Sequence, residues 1–294
     1  MVNTVDPMPS TIGAGLHRIG WDEIADAQAF LSSGLGSAIR YFIHPGDLAW
    51  WARHHDRRRP QLELWLGEPG LVVIDGSNGE ISAFARPTDD LIRLIEWAQV
   101  RLMAKGTVGW VADTDEELTS YLDSHRYSVS TSNRSYRWEL GAQRIPAPDP
   151  PQGWELRPMR GEEEADNRRQ ASHAAFESTM DSAMHLERYL GFMRSPVYDR
   201  ERDLVAVAPD GRIASFMVWW PDRAGIAQIE PFGTHPDFQR KGVGRALLHF
   251  GLARMAGAGM SVCRVVTDDY RVATAFYPAA GFADVGGLSW WSHA

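Results

Sequence analysis

Residues 226–250 read IAQIEPFGTHPDFQRKGVGRALLHF, and this stretch decides the fold. Its apolar start predicts a strand, and the motif Gln239-Arg240-Lys241-Gly242-Val243-Gly244 leads from a short loop into a long amphipathic helix. A helix that begins at a glycine-rich turn directs several backbone N–H groups and its positive end toward one point. The two glycines allow an anion to approach closely, and Arg240 and Lys241 add positive charge. The sequence therefore predicts a phosphate site at this turn.

The turn differs from two common kinds of phosphate-binding loop. It lacks the Gly-Lys-Ser/Thr ending that holds a nucleotide triphosphate, and Leu247 stands where a dinucleotide-binding fingerprint needs its third glycine. It resembles instead the pyrophosphate-binding turn of the acetyl-CoA-dependent N-acetyltransferases related to Gcn5, the GNAT family.

A second motif further along the chain strengthens this resemblance. Residues 261–282 read SVCRVVTDDYRVATAFYPAAGF, which predicts a strand over 262–267 and a short helix over 271–280. The segment ends in a tyrosine, three further residues and Gly281-Phe282, as its equivalent does in the GNAT family. The resemblance covers residues 153–294. The tandem architecture and the length of the chain also resemble mycothiol synthase-like acetyltransferases and antibiotic-modifying relatives, and the motif does not distinguish the two groups.

Length and composition indicate a globular protein of two ordinary domains. The chain has 294 residues, of which 44% are apolar and 23% are charged. No apolar run is long enough to span a bilayer, and the first residues lack the basic start and apolar core of a secretory signal. The single cysteine, Cys263, excludes an intramolecular disulfide and a cysteine-based zinc cluster. We therefore expect a cytoplasmic protein that has no membrane partner.

The charge of the chain argues against a nucleic-acid partner. The formal net charge is −8, and no basic stripe runs along the sequence. The basic cluster at residues 53–59 is better explained as the solvated end of a helix before Pro60. Because adjacent side chains on a helix point about 100° apart, the two histidines in this cluster are poorly placed to share a metal ion. We expect no metal.

A proline-rich segment divides the chain into two halves. We predict an N-terminal domain over 1–142, an extended linker over 143–152 and a C-terminal domain over 153–294. In the second half the pattern predicts β-α-α-β-β-β-α-β-α-β, which is the layout of the GNAT fold. We therefore predict a mixed α/β class, with two mostly antiparallel sheets flanked by helices.

The first half repeats this order of elements in outline. Strands are predicted over 62–66, 71–75, 80–84 and 108–112, with helices over 89–105 and 113–125. The sequence Arg86-Pro87-Thr88-Asp89-Asp90 replaces the glycine-rich turn. Because it lacks glycine and places two carboxylates at the helix start, this turn should repel a pyrophosphate. We therefore interpret the first half as a degenerate GNAT-like domain that has lost its cofactor.

The resemblance implies which residues hold acetyl-CoA, the expected co-substrate. In the family a bulge separates two neighbouring strands, and the thioester lies between them. Backbone N–H groups of Phe232, Gly233 and Thr234 would bond the pantetheine arm and the carbonyl. Tyr270 stands where the family commonly has an asparagine, three residues before Ala273, so an amide contact to the pantetheine is lost. The diphosphate would lie against Gln239, Arg240, Lys241, Gly242, Val243, Gly244 and Arg245.

Glu230 and Tyr277 are the candidate catalytic residues. Glu230 lies in an apolar run, where desolvation would raise the pKa of its carboxyl and favour proton uptake from an amine. Binding of a cationic substrate or a structural ion pair would explain Glu230 equally simply. The resemblance implies that Tyr277 acts as the general acid toward the CoA sulfur, while a plain core position is the alternative.

Two tryptophan doublets leave a further question about the acceptor. Trp219-Trp220 and Trp290-Trp291 stand at strand ends, where one ring of each pair should face the core and the other should face outward. The outward ring could line an acceptor pocket or contact the first half of the chain, while packing in the core is the default interpretation.

We expect an N-acetyltransferase that moves an acetyl group from acetyl-CoA to a primary amine of a small molecule. The oligomeric state would be a monomer or a homodimer. A non-catalytic acyl-CoA sensor, with the degenerate half contacting a partner, is one alternative. Transfer of longer acyl groups, which depends on the depth of the pocket near Phe232 and Phe216, is another. Release of thiol from acetyl-CoA in the presence of amines separates the transferase from the sensor.

Overall fold

A computed structural model describes residues 15–34, 44–52, 62–85, 88–194, 198–268 and 271–293. Three features discussed above therefore lie outside the described residues: the basic cluster at 53–59, the start of the degenerate turn at 86–87, and Tyr270. The chain forms two compact units. Unit 1 takes its described residues from 1–43, 55–134 and 286–294, and unit 2 takes its own from 44–54 and 135–285.

The helices and strands follow the predicted order closely. In the first half they are β1 (Leu16–Ile19), α1 (Ile24–Gly34), α2 (Pro45–Ala52), β2 (Leu62–Gly67), β3 (Leu71–Asp75), β4 (Glu80–Phe84), α3 (Thr88–Leu102), β5 (Thr107–Ala112), α4 (Glu116–Ser124) and β6 (Tyr127–Glu139). In the second half they are β7 (Glu155–Pro158), α5 (Ala165–Ala175), α6 (Ser182–Met193), β8 (Asp203–Val207), β9 (Ile213–Pro221), β10 (Ile226–Thr234), α7 (Val243–Gly257), β11 (Val262–Asp268), α8 (Arg271–Ala279) and β12 (Ala283–His293).

Two helices are shorter than predicted, and the backbone explains both differences. Helix α3 ends at Leu102 because Met103 and Gly106 take positive φ angles of 54° and 67°, which a right-handed helix cannot continue. Helix α4 begins only at Glu116, because the side chain of Asp115 accepts a hydrogen bond from the backbone N–H of Leu118 and caps the helix there.

Unit 1 contains a mixed sheet with the strand order β1-β2-β3-β4-β5-β12-β6. Its pairs are antiparallel from β1 to β4 and between β5 and β12, and they are parallel between β4 and β5. The parallel pairing covers only Glu80 with Thr107 and Ile81 with Val108, although both strands continue further. Unit 1 thus holds two parallel strands whose pairing is confined to one end.

The sheet strands of unit 2 have the order β6-β11-β10-β9-β8-β7. Strand β10 pairs in parallel with β11 and antiparallel with β9, and β9 and β7 each pair antiparallel with β8. Hydrophobic clusters cover both faces of this sheet. One cluster involves residues of α7 and α8, and the other involves residues of α5 and α6. The predicted class, mixed sheets flanked by helices, is confirmed.

The expectation that one ring of each tryptophan doublet faces outward is wrong for Trp219 and Trp220. Both side chains are buried, Trp219 in the α7/α8 cluster and Trp220 in the α5/α6 cluster. Successive side chains of a strand do point to opposite faces, but helices cover both faces of this sheet. In the second doublet Trp290 contacts Trp110 within unit 1, with ring centroids 5.2 Å apart.

A short segment from the first half of the sequence folds as part of unit 2. Helix α2 packs so closely on strand β9 that a Cβ atom at Gly46 would lie 2.3 Å from Cγ of Trp220. Strands β6 and β12 also divide between the units, after residues 134 and 285 respectively. This division by packing differs from a division by sequence, and the predicted domain limits at 142 and 153 stay a prediction.

Candidate active site

The site begins where strands β10 and β11 stop pairing. Their parallel register joins Ile226 with Val262, Ala227 with Cys263 and Gln228 with Arg264, although β10 runs on to Thr234 and β11 to Asp268. On its other edge β10 shifts register against β9 between Ile229 and Phe232, so that Glu230 and Pro231 form a bulge. The bulge the resemblance implied is therefore present, at the residue proposed as the base.

Side chains of strand β9 donate two hydrogen bonds to backbone carbonyl oxygens of β10, one within the bulge and one just after it. The indole Nε1 of Trp220 donates to the carbonyl oxygen of Glu230 over 2.7 Å. The hydroxyl of Ser215 donates to the carbonyl oxygen of Gly233 over 2.8 Å, and its oxygen lies 2.9 Å from the hydroxyl oxygen of Thr234. Ser215 is fully buried, and the sequence analysis did not select it. Its only signal was a polar residue inside an apolar strand.

Gly233 lies where the structure permits no side chain. A Cβ atom built on it would lie 2.5 Å from Cζ of Phe216 and 3.1 Å from Cβ of Ala175. The glycine therefore permits the close approach of β9 and α5 to this part of β10.

The glycine-rich turn has the backbone geometry of an anion site. Arg240 and Gly242 take positive φ angles of 59° and 81°, and helix α7 begins directly afterwards at Val243. The first bond of the helix runs from the N–H of Ala246 to the carbonyl oxygen of Gly242. The N–H groups of the preceding residues thus belong to the first turn, which leaves such groups without partners inside the helix. The exposed side chains of Arg240, Lys241 and Arg245 surround this turn.

Two members of the predicted turn have mainly structural contacts. The amide Nε2 of Gln239 donates to the carbonyl oxygen of Thr234 over 3.2 Å and ties the turn to the end of β10. The side chain of Val243 is buried in the α7/α8 cluster, so only its backbone can face a ligand.

The glycines of the turn fit a diphosphate. A Cβ atom on Gly244 would lie 2.9 Å from the hydroxyl oxygen of Thr234 and 3.8 Å from Cζ of Phe232, so helix α7 starts close against strand β10. A Cβ atom on Gly242 would meet nothing within 4 Å, which leaves its surroundings open. The helix start is thus packed against the strand at Gly244 and open at Gly242, which leaves room for an anion at the helix N-terminus.

Tyr277 lies in the core beside the α7/α8 face, with only 5% of its surface exposed. Its ring packs against Tyr136, Phe276 and Phe282, with centroids 5.4 to 5.5 Å away. Burial raises the pKa of the Tyr277 hydroxyl well above its ordinary value, and the charge of Glu230 raises it further. Glu230 and Tyr277 therefore interact electrostatically, and the ring of Tyr277 is also part of the hydrophobic core. Ala273, one turn earlier on α8, is partly buried against the same cluster.

A buried ion pair between helix α5 and strand β8 was not predicted from the sequence. Arg168 of α5 and Asp203 at the start of β8 are almost completely buried, and Nε of the arginine lies 3.4 Å from Oδ1 of the aspartate. The hydroxyls of Tyr189 and Tyr198 both donate to Oδ2 of Asp203. No local pattern marks such residues, because their partners lie far away in the sequence.

Comparison with known proteins agrees with this geometry. The family model described as "Acetyltransferase (GNAT) family" matches residues 163–282. This segment of the chain is therefore similar to the GNAT family. A curated relative, the mycothiol acetyltransferase of Clavibacter michiganensis subsp. michiganensis, is 37% identical over 90 residues. That alignment spans 30% of this chain and 29% of the relative's length.

Solved GNAT structures share the fold across most of the chain. A GCN5-related N-acetyltransferase from Sphaerobacter thermophilus superposes with a TM-score of 0.57 at 19% identity, and the match covers 94% of each chain. A tandem GNAT protein from the clavulanic acid biosynthesis pathway gives a TM-score of 0.61 at 14% identity, covering 94% of this chain and 97% of that one. The tandem GNAT-like architecture is thus confirmed, although the family model matches in the second half alone.

None of the helices among the described residues is long and apolar enough to cross a membrane. In the same part of the chain, no group of three or more histidine, cysteine, aspartate or glutamate residues is placed to hold a metal ion.

Proposed function

We propose that this chain transfers an acetyl group from acetyl-CoA to a primary amine of a small molecule. One observation carries the proposal: the bulge at Glu230 and the helix start at Gly242–Gly244 lie at the two ends of one short segment. A single extended ligand with an anionic diphosphate and a reactive end fits this arrangement. Bound acetyl-CoA would supply the acyl group as an activated thioester.

The residues that would hold the co-substrate fall into two sets. The first-turn N–H groups of α7, together with the charges of Arg240, Lys241 and Arg245, would bind the diphosphate. Toward the bulge, backbone N–H groups of Phe232, Gly233 and Thr234 would bond the arm and polarise the thioester carbonyl. Ala273 would contact the arm from α8.

Glu230 and Tyr277 would move the protons. The attacking amine must be neutral, so the Glu230 carboxylate would accept a proton from the amine nitrogen, directly or through water, as the new C–N bond forms. The C–S bond breaks in the same reaction, and the Tyr277 hydroxyl would donate a proton to the departing sulfur. The hydroxyl is protonated at neutral pH and can therefore donate, although burial raises its pKa and makes it a weaker acid than an exposed tyrosine.

The relative named mycothiol acetyltransferase supports a small-molecule acceptor over a macromolecular one. We propose further that the protein works in the cytoplasm as a monomer or homodimer, without a metal and without nucleic-acid or membrane partners. The runner-up function is a non-catalytic acyl-CoA sensor. The burial of Tyr277 among aromatic rings favours it, because a hydroxyl that never reaches a substrate would leave binding without turnover.

Binding is tested first, by thermal unfolding with acetyl-CoA and with the variant Gly244→Val. A ligand present at a hundred times its dissociation constant stabilises the folded state by about 2.7 kcal/mol. The variant should lose this stabilisation because its side chain would fill the space between the turn and Thr234. Gly257→Ala, on the open last turn of the same helix, is the matched control and should keep it. If acetyl-CoA stabilised Gly244→Val as much as the wild type, the turn would not be the site that binds the diphosphate.

Turnover is tested second, by the release of free thiol from acetyl-CoA across a panel of primary amines. Release that depends on an amine supports the transferase, and Glu230→Gln should slow it by about a hundredfold or more. Tight binding of acetyl-CoA without release in the presence of any amine would favour the sensor.

A further inference from the structure

Phe216 of strand β9 lies directly across from Gly233 in the register of the two strands. The two residues share one face of the sheet, the one covered by α5 and α6. The ring is fully buried, and its Cζ atom occupies the space into which a side chain at Gly233 would project, 2.5 Å from the position of Cβ. At the strand segment proposed to hold the thioester, this face is therefore closed by the ring of Phe216, with Cβ of Ala175 beside it, 3.1 Å from the same Cβ position.

The ring is also fixed from its other side. The guanidinium carbon of Arg168 lies 3.7 Å from the ring centroid of Phe216, which is close for a cation over an aromatic face. Phe176 packs edge-on against the same ring, with centroids 5.7 Å apart. Phe216 therefore has contacts on its face and its edge, and the space that it fills is well defined.

The cation over Phe216 is itself held by the polar network under α5. Arg168 pairs with Asp203, and the remaining carboxylate oxygen of Asp203 accepts hydrogen bonds from Tyr189 and Tyr198. A buried ion pair contributes little net stability relative to apolar residues of the same volume, but removing one partner alone leaves an uncompensated buried charge. The network thus holds one guanidinium in one place, over one ring.

We propose that Phe216 limits the length of the acyl group that the site accepts, and that Arg168 with Asp203 is the positioning pair that keeps the ring closed. This inference rests on the proposed function. An acyl chain longer than acetyl would extend from the thioester at the bulge, and Phe216 blocks the α5/α6 face while Phe232, Phe276 and Tyr277 fill the α7/α8 face. The substrate class of the site is accordingly the acetyl thioester, with longer acyl thioesters excluded by shape.

Calorimetric binding of acetyl-CoA, butyryl-CoA and hexanoyl-CoA, without any amine present, tests the proposal. The wild-type protein should bind butyryl-CoA and hexanoyl-CoA at least about tenfold more weakly than acetyl-CoA, because a closed pocket rejects each extra methylene. Phe216→Ala should reduce that ratio to about threefold or less, since removing the ring opens a cavity beside Gly233. Phe216→Leu should give an intermediate ratio. It replaces the alanine variant in this test if the alanine variant does not fold.

Phe192→Ala is the matched control. Phe192 is another buried phenylalanine of the same cluster, but it packs against Tyr198 and Trp220 instead of Gly233. This variant should lose stability as Phe216→Ala does and keep the wild-type ratio of dissociation constants. The double variant Arg168→Met with Asp203→Asn tests the positioning pair. It should lower the ratio while Phe216 is still present, an effect that a purely structural role would not produce.

The outcomes separate this inference from the proposed function. Acetyl-CoA binding with an unchanged ratio in folded Phe216 variants would overturn the acyl-length role alone. Wild-type protein that binds hexanoyl-CoA as tightly as acetyl-CoA would overturn it as well. A wild-type protein that binds no acyl-CoA would overturn the proposed function, and this inference with it.

Discussion

Tyr277 combines two roles at the scale of a single residue. Its ring packs among three aromatic rings, while its hydroxyl lies within the field of the Glu230 carboxylate. The packing explains why the residue is aromatic, but a phenylalanine would pack equally well. Only the hydroxyl distinguishes the catalytic role from the core role, and replacing the tyrosine with phenylalanine separates the two.

For Tyr277→Phe we expect turnover to fall by about two to four orders of magnitude, the usual contribution of a positioned acid. The dissociation constant of acetyl-CoA should change little, and the free energy of unfolding at pH 7 should change by about 1 kcal/mol or less. Thiol release and urea unfolding measure the two quantities. Tyr136→Phe, on the ring stacked against Tyr277, is the control and should keep wild-type turnover. An unimpaired rate in Tyr277→Phe would leave the residue with its core role alone.

At the scale of elements, the hydrogen bonds that end helix α8 fix the backbone at Tyr277. The N–H of Phe282 bonds the carbonyl oxygen of Tyr277, and the N–H of Gly281 bonds that of Pro278. Gly281 takes a φ of 99°, and a Cβ atom there would lie 2.7 Å from Cζ3 of Trp138. The Gly-Phe ending of the motif is thus required by backbone conformation and by a close contact at the same position.

We expect Gly281→Ala to destabilise the folded protein by about 2 to 5 kcal/mol, the sum of left-handed strain and overpacking against Trp138. Gly259→Ala is the matched control, because Gly259 also has a positive φ, 83°, but open space around its Cβ position. That variant should lose only the strain component, about 1 to 2 kcal/mol. Urea unfolding measures both. Equal losses in the two variants would contradict the role given to the Trp138 contact.

At the scale of the whole molecule, a buried polar network joins α2 to the sheet of unit 2. Nδ1 of His44 accepts a hydrogen bond from the N–H of Gly46, and Nε2 lies 3.1 Å from the carbonyl oxygen of Ile226, so the neutral imidazole fits both partners. Asp47 accepts hydrogen bonds from the N–H of His44 and from the side chain of Gln228. Burial lowers the pKa of His44 to about 3, and the charge of Arg264 lowers it further.

The lowered pKa of His44 gives a pH dependence of stability with a definite sign. The unfolded chain takes up a proton on His44 below pH 6.5 and the folded chain only near pH 3, so the stability contributed by His44 is complete above pH 6.5 and declines as the pH falls. Asp47 opposes this trend, because burial raises the pKa of its carboxyl to about 6, and the folded chain takes up that proton first. The comparison of wild type with His44→Asn cancels the titration of groups that both proteins share.

We expect the stability advantage of the wild type over His44→Asn to shrink by about 2 to 3 kcal/mol between pH 7 and pH 4. Denaturant unfolding at a series of pH values measures the difference. An advantage that stays constant or grows toward pH 4 would contradict a buried, neutral His44.

Much of the fold and part of the site could be predicted from the sequence. Apolar periodicity located nearly every strand and helix, because each pattern repeats within a few residues. The turn at Gln239–Gly244 was recognisable because the conformational freedom of glycine is a local property, and the Tyr277–Phe282 ending was recognisable from its resemblance to the family motif. The roles of Glu230 and Tyr277 stay predictions. The register shift at Glu230 could not be predicted from a local pattern, because a bulge depends on the partner strand. It was expected only from the resemblance.

The sequence by itself determined the order of elements, the glycine-rich helix start and the apolar strands on either side of it. All of these depend on dihedral preferences and side-chain periods that act over a few neighbouring residues. Only the tertiary structure decided that Phe216 faces Gly233, that Arg168 pairs with Asp203 under that ring, and that α2 folds into unit 2. These contacts join residues far apart in the chain, and close packing selects them only when the whole unit is assembled.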